Sequence, residues 1–361
     1  MQIFDGKLSL RILWLAKRQT TGQDSISARF GRLFHLPREL GRRGHQVCWE
    51  ALSYQPRRSV RWVESSFQIN STNLFPSFGV SYWRHLLSSA QTFRPEVVVG
   101  SSDIPYLILA AVLAARLGVP YIVDLFDNFE SYQSYHLPGA ARGFRKALAG
   151  AKFISCVSES LAVEISQRHP SVPVVVLENG VDPEFFRPGA KVSGPFPVFG
   201  YAGALSENRG LSLLFAAWPE VRKTIPQARL RMVGKKHSGF PRRFPEGITY
   251  EGRIAHQKMR EFLSQIDIAL VPTQAGTFGS YAFPIKFYEA LACGVPVLTS
   301  DQGPLGKILA DYPELTFKAG DQRDLASRMI TLAQHSPKCP ALLAPSWKDL
   351  AERWEDAWQR A

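Results

Sequence analysis

Lys286 and Glu289 stand three residues apart in Lys286–Ala292, a run with helical spacing, so a cation and a carboxylate share one helix face and can address one ligand. A carboxylate suits a ligand that presents two adjacent donors, because each of its oxygens accepts. A second group is the loop GALSENRG, Gly203–Gly210, which lies between the apolar run Val198–Ala202 and a helix. Its backbone N–H groups and the helix dipole can meet an anion, with Arg209 the cation best placed there. The plain alternatives are a solvated Arg209 at a helix start and an ordinary exposed Lys286–Glu289 ion pair. A third group, Asp127, Asn128 and Glu130, follows another apolar run among aromatics. No D-x-D motif ends a strand and no His/carboxylate cluster has metal-ligand spacing, so no metal site is expected. There is no G-x-S-x-G elbow and no well-signalled carboxylate pair for glycoside hydrolysis.

These groups sit in a repeating pattern of short apolar runs separated by helical segments, as in parallel sheets built from βαβ units. In the first half the runs are Leu10–Ala16, Gln46–Trp49, Pro95–Gly100, Tyr121–Leu125, Phe153–Val157 and Val174–Leu177. After the Pro/Gly-rich stretch Arg187–Pro197 the pattern restarts with Val198–Ala202, Ala228–Val233, Asp267–Pro272 and Val295–Thr299. Gly279 and Pro284 suggest a bent, non-helical approach to the helix that carries Lys286. The fold expected is α/β, with two Rossmann-like, doubly wound domains and a cleft between them. The chain's 361 residues suit two cores better than one.

Composition narrows the class. Hydrophobic residues are 45% and charged residues 20%, which is globular rather than disordered. Four cysteines without C-x-x-C spacing indicate neither a disulfide framework nor a zinc site, and the plain reading is a reducing cytoplasm. No export signal is visible at the start. The longest apolar stretch, Ile104–Phe126, is interrupted by Pro105, Arg116, Pro120 and Asp124, so it reads as a core helix and a strand rather than a membrane span. Net charge is +12, and the first 120 residues carry 15 Lys+Arg against 7 Asp+Glu, with dense points at Arg42–Arg43 and Arg57–Arg58–Arg61. Such a surface can attract an anionic membrane face or a phosphorylated acceptor, and a solvated basic surface is the equal alternative. No nucleic-acid motif accompanies the charge.

Several stretches in order resemble the family-4 retaining glycosyltransferases of the GT-B fold, over nearly the whole chain. LRILWLA with LGRRGHQV resembles the family's opening strands, and ENGVDPEFFRP (Glu178–Pro188) its hinge-proximal segment. FPIKFYEALACGVPVLTS (Phe283–Ser300) looks like the nucleotide-sugar segment, and SWKDLAERWEDAW (Ser346–Trp358) like the closing helix that crosses back to the N-terminal domain. The resemblance implies an acceptor-side domain over 1–187, a donor-binding domain over 188–345 and a returning helix over 346–361. It implies a nucleotide diphosphate sugar as donor, no cofactor, a glycan, lipid-linked or small-molecule acceptor, and a cytoplasmic enzyme, peripheral at the inner membrane face if the basic surface is used.

By that resemblance Glu289 accepts from the ribose hydroxyls, Lys286 and Arg209 stabilise the departing diphosphate, and Gly203 with the backbone of Ala282, Phe283, Pro284 and Ile285 lines the donor. Gly22 remains from the family's glycine-rich loop after the first strand, and Asp127 faces the reacting sugar. Two positions depart from the pattern: Ala204 replaces a basic residue and Tyr281 a glutamate that contacts the sugar. These departures keep a non-catalytic binding subunit open as an alternative, beside a nucleotide-sugar epimerase of the same fold.

Overall fold

The computed structural model describes all residues except 1, 5–6, 21–22, 75–79, 191–193, 238–239, 241–242, 275, 282, 336–338 and 341–343. The chain divides into two units, Met1–Asn179 with Trp347–Ala361, and Gly180–Ser346. Each contains its own sheet.

In the first unit the apolar runs become β1 (Arg11–Lys17), β2 (Gln46–Ser53), β5 (Val97–Ser101), β6 (Tyr121–Leu125), β7 (Ile154–Cys156) and β8 (Val174–Val176). Two further strands, β3 (Val60–Glu64) and β4 (Phe67–Asn73), extend one side. The order is β8-β7-β6-β5-β1-β2-β4-β3, parallel apart from the β3/β4 pair. Ile12 to Ala16 of β1 are fully buried, because helices cover both faces of a central parallel strand and leave no polar alternation. From β1 the chain passes to β2 on one side and later returns to β5 on the other, so the topological switch lies between β1 and β5. The helix Ile104–Leu117 begins on Asp103, which caps the Ile104 N–H, and ends at Gly118 in the left-handed region.

Inside this unit Asp124 and Arg32 form a buried ion pair, 1% and 4% exposed, 2.6 Å between Arg32 Nη2 and Asp124 Oδ1. Ser101 and Ser155 also donate to the Asp124 carboxylate, and Arg32 Nη1 donates to the carbonyls of Leu177 and Glu178. Asp124 is thus a structural group. The closing helix Trp347–Arg360 belongs to this unit: Trp347 stacks on His35 at 5.5 Å, and Glu355 binds Arg43 at 2.7 Å and His45 Nε2 at 3.0 Å. Burial raises the Glu355 carboxyl, but the hydrogen bonds from His45 and Arg43 outweigh it and hold its pKa at about 2. Arg43 is therefore committed to this helix, and Arg42 pairs with Glu39, whereas Arg57, Arg58 and Arg61 are exposed. Of the two basic points in the sequence, the second is the one whose arginines are all exposed.

The second unit has six parallel strands: β9 (Val198–Ala202), β10 (Arg229–Val233), β11 (Ile248–Tyr250), β12 (Ile268–Val271), β13 (Val297–Ser300) and β14 (Thr316–Phe317). Their order β11-β10-β9-β12-β13-β14 is the doubly wound Rossmann arrangement, with its switch between β9 and β12. The expected boundary at residue 187 differs from the observed one. Gly180–Arg187 goes with the second unit because Val181 pairs with Ser346 and donates to the Pro345 carbonyl, while Arg260 Nε donates to the Arg187 carbonyl.

Candidate active site

Open parallel sheets bind ligands outside the carboxyl ends of their strands at the switch point. In the second unit that edge carries the loop after β9, the turn after β10 and the segment after β12. Glycines let these three meet. A Cβ at Gly210, which caps the helix Leu211–Thr224 with φ 69°, would overlap the Pro272 carbonyl oxygen, and one at Gly234 would overlap the Gly203 carbonyl.

The loop itself corrects one expectation. Gly203 N–H donates to Val233 O at 3.0 Å and Leu205 N–H to Lys235 O at 2.8 Å, while Ser206, Arg209 and Gly210 donate within the loop. Most of its N–H groups are therefore already bonded, because the loop continues the β9 ladder and then closes into the 3-10 turn Glu207–Arg209. Tyr201 Oη donates to Ala204 O at 2.7 Å, and the Arg209 charge opposes the upward pull of burial on the Tyr201 phenol, which places Arg209 beside this turn.

After β12, Thr277–Tyr281 is a short helix, not the bent non-helical approach expected around Gly279. Within that helix Gly279 packs where a side chain would meet the Gln274 carbonyl and the Gln302 amide, and the Gly279 carbonyl in turn lies where a Cβ at Gly303 would stand. Phe283 is 5% exposed and packs on Tyr288 and Phe287, so its side chain belongs to the core. Pro284 caps the helix Ile285–Ala292, in whose first turn Ile285 and Lys286 are half-buried.

Lys286 Nζ donates to Glu289 Oε2 at 2.6 Å. The pair is not the exposed one that spacing also allowed: Glu289 is 1% exposed, and its Oε1 has no hydrogen-bond partner among the described residues. Burial raises the Glu289 carboxyl above its ordinary value, and the Lys286 ammonium opposes that only in part. A buried carboxylate with one oxygen bonded and one bare is an acceptor waiting for donors.

In the first unit, Asp127 accepts from Asn128 N–H and Tyr132 Oη, both at 2.8 Å. Its neighbour Lys17 went unmarked in the sequence. The Lys17 side chain is 17% exposed at the carboxyl end of β1, 3.7 Å from Asp103 Oδ2, and its pKa is lowered by burial against the opposing charges of Asp103 and Asp127. The structure thus joins Lys286 to Glu289 directly and Gly203 to Arg209 through one turn, and it places Asp127 in the other unit. Gly22 and Ala282 lie outside the described residues. Among the described residues no group of three or more His, Cys, Asp or Glu side chains could hold a metal ion. No helix among them is long and apolar enough to cross a membrane.

Residues 32–185 match the family model described as Glycosyltransferase Family 4, and residues 196–335 match Glycosyl transferases group 1. The chain is 28% identical over 179 residues to a phosphatidyl-myo-inositol mannosyltransferase of Propionibacterium freudenreichii, covering 47% of this chain and 45% of that protein. It is 24% identical over 267 residues to a GDP-mannose-dependent monoacylated alpha-(1-6)-phosphatidylinositol monomannoside mannosyltransferase of Corynebacterium glutamicum, covering 69% and 70%. The match to the first of these relatives thus spans less than half of its length. In fold, the chain is similar to the catalytic domain of starch synthase IV from Arabidopsis thaliana, bound to ADP and acarbose (TM-score 0.71, 11% identity, 98% and 99% covered). It is also similar to Anabaena HepE in complex with UDP and glucose (TM-score 0.67, 14% identity, 97% and 95% covered). With one family model on each unit and the same fold in these structures, the chain belongs to the GT-B glycosyltransferases of family-4 type.

Proposed function

We propose that this protein transfers a sugar from a nucleotide diphosphate sugar to a hydroxyl of a glycan, lipid-linked or small-molecule acceptor, with the donor held by the second unit. The observation that carries this reading is Glu289, buried, with one oxygen bonded to Lys286 and the other unpartnered, on the helix that follows β12 at the switch point. Adjacent ribose hydroxyls are donors that such a carboxylate accepts. The Lys286 and Arg209 cations are suited to the diphosphate, whose charge grows as the glycosidic bond breaks.

In this reading the bond from the anomeric carbon to the diphosphate oxygen breaks and a bond to the acceptor oxygen forms on the same face. The acceptor proton passes to the departing diphosphate. Retention is the stereochemistry of the family, and it calls for no protein nucleophile. The protein's part is positioning and fixed positive charge, without a metal. The names of the relatives support a lipid-linked or inositol-bearing acceptor, and the open cations Arg57, Arg58 and Arg61 suit an anionic membrane face. Salt-sensitive co-sedimentation with anionic but not neutral vesicles is the outcome expected for that contact.

Calorimetric titration with a panel of nucleoside diphosphates, followed by turnover of the matching nucleotide sugars, tests the reading. Binding and turnover undiminished by EDTA are expected. A strict requirement for magnesium or manganese in both contradicts the charge-stabilisation mechanism. Saturable binding without turnover on any sugar points to the binding-subunit alternative that Ala204 and Tyr281 raise.

A further inference from the structure

We propose that His85 and Glu50 form a pH-sensitive latch on the helix Val80–Phe93, which fastens this helix to the first unit's sheet while the imidazole is protonated and loosens it once the imidazole is neutral. The inference stands apart from the transferase reading.

Its starting point is a carboxylate where the fold calls for an apolar side chain. Val47 to Ser53 of β2 are all buried, as in a parallel strand covered on both faces, yet Glu50 lies in the middle of them at 0% exposure. An ionised carboxylate in such a place is costly unless hydrogen bonds and an opposite charge meet it. Side chains alternate along a strand, so Cys48, Glu50 and Leu52 share one face. On that face Cys48 and Leu52 pack in one core with Tyr82, Leu86 and Ala90 of the helix Val80–Phe93.

The partners of Glu50 come from both neighbours of β2. Asn70 of β4 is in register with Glu50, and its Nδ2 donates to Glu50 Oε1 at 2.8 Å. The Cys48 thiol donates to the same oxygen at 3.7 Å. From the helix, Ser89 also donates to Oε1, while His85 Nε2 donates to Oε2 at 3.1 Å. His85 and Ser89 are four residues apart and so lie on one helix face. One oxygen is thus held by neutral donors and the other by the imidazole. The hydrogen bond to Glu50 raises the His85 pKa against the downward pull of burial. Burial raises the Glu50 carboxyl, but the bonds from His85, Ser89 and Asn70 outweigh it and its pKa is lowered.

The other titratable and charged groups around the pair do not replace His85. Burial raises the Cys48 thiol and the hydroxyls of Tyr82 and Tyr106, and pushes Tyr54 up to about 12, so none of these is charged near neutral pH. From β1 and β5 the same core receives only the apolar Leu13, Leu15 and Val98. Arg61 on β3, whose charge reaches Cys48, and Arg84 on the helix are exposed. His85 both touches Glu50 and reaches solvent, with its side chain 40% exposed.

The sign follows from linkage. The folded-state pKa of His85 lies above the ordinary 6.5, so its contribution is fully present below 6.5 and is lost as pH rises through the folded value. Glu50 stays ionised over that range, because its own value is lowered from 4.5. On the alkaline side the buried carboxylate keeps its neutral donors and loses its counter-charge, which weakens the tie to the helix.

Hydrogen exchange tests this, read on peptides from the helix Val80–Phe93 and corrected for the intrinsic rate at each pH. In wild type, opening of this helix should increase about threefold or more between pH 6 and pH 8.5, while the helix Ile104–Leu117 of the same unit changes little. His85→Gln should open more readily already at pH 6 and show no further rise, and His85→Lys should stay closed across the range. An NMR titration of the wild-type protein, which needs no variant, should place the His85 imidazole above 6.5. A flat wild-type profile, an equal rise in Ile104–Leu117, a His85→Gln protein that keeps the wild-type pH dependence, or an imidazole that titrates at or below 6.5 overturns the proposal.

Discussion

In each unit a buried carboxylate meets a cation, Asp124 with Arg32 in the first and Glu289 with Lys286 in the second, and the two pairs are finished differently. In the first unit Asp124 accepts from Arg32, Ser101 and Ser155, and the remaining guanidinium donors reach the carbonyls of Leu177 and Glu178. In the second unit Glu289 accepts from Lys286 through one oxygen and leaves the other bare. A saturated buried network specifies structure, because any further partner would have to displace one already present. An unsaturated one carries a desolvation cost in the free protein and recovers it when a ligand arrives. Polar saturation, rather than burial or charge, is what distinguishes the two pairs.

Removing the carboxylate should therefore have opposite consequences in the two places. Asp124→Ala leaves Arg32 buried and uncompensated and should cost about 3–5 kcal/mol in urea unfolding, the largest effect expected. Glu289→Gln should instead stabilise the free protein at neutral pH, by about 1 kcal/mol or more, because it removes an under-bonded buried charge. The sign follows from linkage. The folded-state pKa of Glu289 lies above the ordinary 4.5, so its cost is fully present above the folded value, shrinks as pH falls through it and vanishes below 4.5. Unfolding of wild type and Glu289→Gln across that range should converge on the acid side. Divergence there, or a destabilised variant at neutral pH, breaks the comparison.

A smaller effect is expected at the rim of the first unit, where Glu355 joins Arg43 and His45 to the closing helix. Its depressed pKa gives stability that is present above 4.5 and is lost as pH falls through about 2. Partial exposure and screening keep it under about 1 kcal/mol. Glu355→Gln should lower the midpoint slightly at pH 7 and hardly at all near pH 2.

Much of the second unit was legible because its strands are apolar runs bounded by glycine and proline: Val198–Ala202 is a strand over the expected span. The hairpin Val60–Asn73 escaped because it lies at the sheet's edge, where VRWVE and FQINSTN alternate with solvent and read as polar. The spacing of Lys286 and Glu289 gave the pair but not the burial of Glu289, which depends on tertiary packing. Arg32 and Asp124 are 92 residues apart, so no local pattern could join them. The Gly203 loop looked open to an anion because sequence does not reveal that its N–H groups continue the β-ladder.

The central claim, that the bare oxygen of Glu289 awaits the ribose of a nucleotide, is tested most directly by a two-by-two titration. Wild type and Glu289→Ala are titrated with the nucleoside diphosphate that binds best and with its 2′-deoxy counterpart. The account predicts that Glu289→Ala weakens ribonucleotide binding by about 1.5–3 kcal/mol, the range of a hydrogen bond to a charged group, and that the deoxy penalty seen in wild type largely disappears in the variant. Near-wild-type affinity in Glu289→Ala, or an undiminished deoxy penalty, would contradict it and remove Glu289 from the donor site.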